Sequence, residues 1–262
     1  MTYQYLHLEQ RGPIAIVTFA RPEKANALSH AFLEEIEAVA LAFRDDAQTR
    51  AVVFTGAGRH FTSGADLSDP AAAAPTPLVI RRRRARMGER VMRALTDIDA
   101  ITIAAWNGAA MGGGACIAAA LDFRIGADDC FMQFPEIDIG MNLMWQSLPL
   151  VTRLAGPSRA KRLVIGGERV HAPTLLTWGL LDELVPRAAL LEHALEFAAR
   201  YAAKPPIAAQ MIKRSVNRVS GALDEALMHM DADQNLLTQT TEDRRLAVRA
   251  YLDKREASFE GD

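Results

Sequence analysis

The chain has only two cysteines, Cys116 and Cys130, in 262 residues. That excludes a disulfide-stapled scaffold and fits a reducing compartment, with the cytoplasm expected. It also lacks an excess of either charge. Thirty Lys and Arg stand against 32 Asp and Glu, for a formal net charge of −2. Such a balance exerts no long-range pull on nucleic acid or an anionic lipid surface. No apolar run reaches the roughly 18 residues of a membrane-spanning helix. The opening MTYQYLHLEQRG lacks the basic-then-apolar pattern of a secretory signal. No repeat with a period of about 20–50 residues is visible, which excludes a solenoid or propeller. The six histidines show no i, i+4 pairing, so no metal site is expected. The arginines 81–84, with Arg86, Arg90 and Arg93, have no interleaved aromatics and do not suggest a nucleic-acid surface. They read either as a solvated helix face or as contacts for phosphates.

Half the residues are hydrophobic, enough for a sizeable core at this length. Residues 3–9 and 13–20 alternate apolar and polar about Arg11-Gly12, which predicts a hairpin. Ser29 is a good N-cap for a helix over 30–44, with Phe32, Ile36, Val39, Leu41 and Phe43 on its apolar side. Residues 51–55 and 101–106 read as buried strands, and 122–126 and 131–134 as shorter ones. The segment 56–68 is a Gly/Ser/Thr-rich loop, and 69–77 (DPAAAAPTP) a low-complexity, mobile connector. A helix is expected over 78–97, with Ile80, Met87, Val91 and Leu95 on one stripe. From 142 onward the pattern turns helical almost throughout. The clearest helices are 157–166, 173–179, 187–203, 206–218, 222–238 and 241–256. Early β/α alternation and a helical tail predict an α/β core, residues 1–195, and a C-terminal interaction region, residues 196–262.

Two loops carry the chemistry. The first is W-N-G-A-A-M-G-G-G-A-C, residues 106–116, in which a strand runs through a glycine triplet into an apolar helix expected over 115–121. Glycine lets the backbone bend sharply, and a helix start leaves N–H groups bare for an anion. The second is F-T-S-G-A-D-L, residues 61–67, which also leaves a buried strand. Two such loops can each aim a backbone N–H at one point, the geometry of an oxyanion hole. Either loop alone also reads as an ordinary tight turn.

Several segments resemble the crotonase superfamily, the enoyl-CoA hydratase/isomerase family. They are RPEKANALS (21–29), FTSGADLS (61–68), NGAAMGGGACIAAALDFRIG (107–126), FPEIDIG (134–140), WGLLDELVP (178–186) and the closing AYLDKREASF (250–259). The resemblance implies a spiral of β-β-α units in two roughly perpendicular sheets, with a C-terminal helical trimerisation region. It implies an acyl-coenzyme A thioester as ligand, no cofactor beyond the CoA of the substrate, and a homotrimer or dimer of trimers. The oxyanion hole would be the N–H groups of Ala65 and Gly113, with Gly64 and Gly112 beside them. Backbone around Ala25, Ala27 and Ser63 would meet the CoA, Asp66 would shape its loop, and Lys254 and Phe259 would reach a neighbouring subunit's CoA.

Hydratases of this family use two glutamates, which hold a water and exchange protons with it. The second is present as Glu136. At the first position this chain has Cys116. A Pro-Gly pair common in the hydratases is Leu143-Met144 here. Met144, with Trp145 next to it, is expected at the substrate site, where it would narrow the acyl pocket or move a loop. A lone glutamate at position 136 suits the family's double-bond isomerases. If packed among Phe134, Ile137 and Met144, its pKa is expected to rise. Hydration, another enolate reaction such as hydrolysis or decarboxylation, and non-catalytic acyl-CoA binding remain alternatives. Cys116 reads either as a thiol made acidic at a helix start or as a small core residue. Cys130 is expected to be structural, His60 to lie at the surface, and Asp122 and Arg124 to form structural ion pairs.

Overall fold

The computed structural model describes residues 3–69, 76–253 and 255–262. Most of the expected connector at 69–77, and the expected CoA contact Lys254, lie outside the described residues.

Alternation builds the main sheet. β1 (Leu6–Arg11) and β2 (Ile14–Phe19) form the expected antiparallel hairpin, with Leu6 opposite Phe19. β3 (Ala51–Gly56) and β4 (Ile101–Trp106) add in parallel, the register pairing Ile16 with Val53 and Val53 with Ile103. A short strand, β5 (Ala109–Met111), leaves this sheet, and β6 (Phe123–Ala127) returns to it beside β4. β7 (Phe131–Gln133) and β8 (Val170–His171) join β5 in a second, three-stranded sheet. β9 (Glu183–Val185) closes the main sheet in the order β1-β2-β3-β4-β6-β9.

Successive strand residues point to opposite faces. Ile14, Ile16, Val53, Ile103 and Ile125 therefore pack with Leu190, Ala194, Phe197 and Ala198 in one core. Val17, Phe19, Val52, Phe54 and Trp106 belong to the other, larger core. That core also takes Phe32 and Ile36 of α1 (His30–Ala42) and most of two further helices. Ser29 caps α1 by accepting the Phe32 N–H at 3.2 Å.

The expected helix over 78–97 is two helices, α2 (Leu78–Ala85) and α3 (Met87–Thr96), parted at Arg86. The helix after the glycine triplet, α4 (Gly113–Ala120), begins two residues earlier than expected, and every residue in it is buried. There follow α5 (Ser147–Ala155), α6 (Pro157–Val164), α7 (Ala172–Trp178), α8 (Leu190–Ala202), α9 (Pro206–Ser220), α10 (Asp224–Met228), α11 (Asp231–Thr238) and α12 (Glu242–Leu252).

Two expectations need correction. Residues 222–238 form two helices, not one. Leu41 lies off the buried side of α1 and is 38% exposed. The expected boundary at 195/196 falls inside α8, a continuous helix that packs across β2, β3, β4 and β6. Among the described residues no helix is long and apolar enough to cross a membrane.

Candidate active site

The two strand-exit loops leave the C-terminal ends of β3 and β4, which are neighbours in the sheet. Asn107 laces them together. Its Oδ1 accepts from Gly56 N–H at 3.1 Å, and its Nδ2 donates to the Gly56 carbonyl at 2.8 Å. Farther along, Thr62 N–H donates to the Ala109 carbonyl at 3.0 Å, and Met111 N–H donates to the Thr62 carbonyl at 3.1 Å. The loops touch at their tips: a Cβ on Gly64 would lie 2.6 Å from the Met111 carbonyl oxygen. Leu28 completes the seam, donating to the Gly64 carbonyl and accepting from Asp66 N–H.

Ala65 and Gly113 are thereby brought onto adjoining loops. Among the described residues neither N–H donates a hydrogen bond. For Gly113 the reason is its place in the first turn of α4, where amides have no intrahelical acceptor. Gly112 precedes it at φ +49, a conformation that disfavours any side chain.

Glu136 stands against this bend. A Cβ on Gly112 would meet Glu136 Oε1 at 2.6 Å, so only glycine admits the carboxylate there. Glu136 Oε2 is buried without a hydrogen-bond partner. Burial pushes the carboxyl up to about 7, with Asp138 adding a smaller push in the same direction. Of its expected apolar neighbours, Phe134 is fully buried and Met144 half-buried. Ile137 is more open to solvent. It opens a single 3₁₀ turn, Ile137–Ile139, and is 37% exposed.

Cys116 lies in α4 at 1% exposure. Burial, then the nearby Glu136 carboxylate, push its thiol up, which favours the small core residue over the acidic thiol, the two readings the sequence left open. Burial likewise pushes Cys130 up to about 12. Trp145, rather than Met144, is the bulky group at the bend. A Cβ on Gly113 would lie 2.4 Å from the Trp145 ring atoms Cη2 and Cζ3.

The residues expected at the CoA end also converge. Ser63 N–H donates to the Ala25 carbonyl at 3.0 Å, and Ala25 itself is left-handed at φ +50. The Ala27 carbonyl accepts from Arg21 Nη1 at 2.8 Å. Asp66 shapes its loop through Ser68 N–H at 3.0 Å and also pairs with Arg21 at 2.9 Å. Ser68 and then Arg21 hold its carboxyl below the ordinary value. Phe259 is exposed, on a tail whose Glu260 and Gly261 N–H groups bond Asp243.

His60 is partly buried, not free at the surface, and its Nδ1 accepts the Ala109 N–H at 3.2 Å. Asp122 pairs with Lys213 at 2.6 Å, and Arg124 with Asp182 at 3.0 Å. Among the expected phosphate contacts, Arg82, Arg86, Arg90 and Arg93 are exposed and paired with Asp233, Glu89, Glu37 and Glu89. Sequence reasoning missed Asn107 and the fully buried Asn26, whose Nδ2 donates to the Ala57 and His60 carbonyls. The Asn-Gly pair at 107–108 signals a turn but not this lacing. Sequence reasoning also missed Asp231, which reaches the Trp145 bend from α11. A cleft of about 1290 Å³ between α9 and the ends of α3 and α4 is lined by Gln146 and Leu150, not by Glu136.

A family model described as enoyl-CoA hydratase/isomerase matches residues 9–262. The chain is similar to a crotonyl-CoA hydratase of Syntrophomonas wolfei, 30% identical over 260 residues, with 99% of each chain covered. It is 34% identical over 212 residues to the carnitinyl-CoA dehydratase of Escherichia coli K12, covering 79% of this chain and 78% of that one. Among solved structures, an enoyl-CoA hydratase/isomerase from Xanthobacter autotrophicus Py2 superposes with a TM-score of 0.88 at 28% identity, covering 99% of this chain and all of that one.

Proposed function

The chain belongs to the enoyl-CoA hydratase/isomerase family, and we propose that it moves a proton on an acyl-CoA thioester with one carboxylate, Glu136. The observation that carries this is the pairing of Glu136, against Gly112, with the bare Gly113 amide one residue on. A carboxyl poised at about 7 is half-ionised near neutral pH, which suits a group that takes a proton and returns it.

The favoured reaction is a double-bond shift. Glu136 takes the C2 proton of a 3-enoyl-CoA, and the C–H electrons pass into a dienolate. The Ala65 and Gly113 N–H groups bond the oxygen as its charge develops. Glu136 then returns the proton at C4, leaving the double bond between C2 and C3. The residues around Ala25, Ala27 and Ser63 hold the CoA, and the enzyme works in the cytoplasm as a trimer or dimer of trimers. Hydration is the second reading, favoured by the names of the hydratase relatives. Against it stands Cys116, since a buried thiol with a raised pKa is a poor substitute for a second carboxylate.

The test is turnover of purified protein with 2-enoyl-CoA and 3-enoyl-CoA esters, with Glu136→Gln beside it. Isomerisation of the 3-enoyl ester that disappears in the variant supports the favoured reading. Fast hydration of the 2-enoyl ester by the native protein overturns it, and tight ester binding without any turnover marks a binder.

A further inference from the structure

We propose that Trp145, held in place by Asp231, is the wall that ends the acyl pocket and restricts the enzyme to short acyl chains. The indole lies between two glycines. Its Cη2 and Cζ3 atoms would be 2.4 Å from a Cβ on Gly113, and Nε1 would be 2.0 Å from a Cβ on Gly88 of α3. Glycine at both positions lets the ring sit flat between α3 and α4. On the same backbone bend, the Glu136 carboxylate covers Gly112. A carbonyl oxygen bonded to the Gly113 amide thus has the carboxylate beside one glycine and the indole beside the next. Acyl carbons continuing past Glu136 run into the ring.

The ring is not free to swing aside. Trp145 and Gln146 are both left-handed, at φ +70 and φ +54, a strained conformation that a non-glycine residue keeps only under constraint. The constraint comes from α11. Asp231, 2% exposed, accepts the Gln146 N–H through Oδ2 at 2.5 Å. Fully buried Asn235 donates from Nδ2 to the Asn142 carbonyl at 3.0 Å. Ser147 Oγ adds a bond to the Trp145 carbonyl at 3.2 Å. Gln146, next to the wall in the chain, lines the cleft of about 1290 Å³. Trp145 is therefore a specificity residue and Asp231 a positioning residue.

The assignment of the acyl end rests on the function proposed above, so the test reads binding rather than turnover. Butanoyl-, hexanoyl-, decanoyl- and dodecanoyl-CoA are titrated calorimetrically into the full chain. The native protein is expected to bind the two shorter esters best. Trp145→Ala is expected to raise dodecanoyl affinity relative to butanoyl by about ten-fold or more, the scale on which a pocket discriminates added methylenes. Asp231→Ala is expected to shift the ratio the same way, and Asp231→Asn, which keeps an oxygen acceptor, to restore it. If Trp145→Ala does not fold, Trp145→Phe reads the same ratio. Equal native affinity for butanoyl and dodecanoyl esters, or an unchanged ratio in a folded Trp145 variant, overturns the wall. An unchanged ratio in Asp231→Ala overturns the clamp. Failure of the enoyl reading is seen separately, as absent turnover, and leaves these affinities readable.

Discussion

At the residue scale the chemistry turns on one carboxylate and the backbone it touches. Glu136 must be ionised to accept a proton, so the rate is expected to rise with pH through a limb near 7. Glu136→Gln is expected to lower kcat by about 10²–10⁴-fold with acyl-CoA binding retained, measured by steady-state kinetics and calorimetry. The same raised pKa links to stability. The folded state holds this proton more tightly than the unfolded chain. Its contribution is therefore fully present below the ordinary carboxylate range and is lost as pH rises through about 7. Denaturant melts of Glu136→Gln should lack that component of the pH dependence. Gly112 is the complementary case. Gly112→Ala places a Cβ at 2.6 Å from Glu136 Oε1 on a residue at φ +49. Roughly 1–3 kcal/mol of stability should be lost in denaturant titration, and activity with it, because the carboxylate must move.

At the element scale, pieces of chain are pinned by side chains that arrive from far along the sequence. Lys213 of α9 is 8% exposed, donates to the Ala100 carbonyl at 2.8 Å and pairs with Asp122 at 2.6 Å. Asp122 in turn accepts the Thr102 N–H at 2.8 Å, so one largely shielded charge pair joins α9 to β4. Lys213→Ala leaves a partly buried carboxylate without its cation and should cost about 1–3 kcal/mol, read from chemical denaturation. Restoring stability with Lys213→Ala/Asp122→Asn would confirm that the unpaired charge, not lost packing, is the cause. α11 acts similarly on the Trp145 bend, where Asp231 and Asn235 fix a loop that has no strand or helix of its own.

At the scale of the whole molecule, the helices after residue 205 leave apolar side chains uncovered. Ile207, Met211 and Val219 are 73%, 66% and 82% exposed, and Leu223 and Leu227 continue the surface. So many exposed large apolar side chains on neighbouring helices are what an interface between copies would cover. The protein is expected to sediment as a trimer or hexamer, and Met211→Glu with Val219→Glu to shift it toward the single chain, measured by analytical ultracentrifugation. A native protein that sediments as one chain at micromolar concentration would overturn this expectation.

The sequence alone determined what depends on near neighbours. The hairpin follows from strict alternation about Gly12, the buried strand β3 from an unbroken apolar run, and the α1 start from Ser29. The glycine triplet was legible as a sharp backbone bend, whereas Glu136 was singled out only through the family resemblance of the segment 134–140. Tertiary structure decided the rest. β9 is three residues long and becomes a strand only because β6 offers it a free edge. Arg86 breaks the predicted long helix where α3 turns in to the core, and Ile137 points outward because a single tight turn carries it there. The pKa of Glu136, the burial of Cys116 and the hold of Asp231 on Trp145 depend on groups many residues apart. Desolvation and close packing are properties of the assembled volume, and no local pattern encodes which distant side chains will fill it.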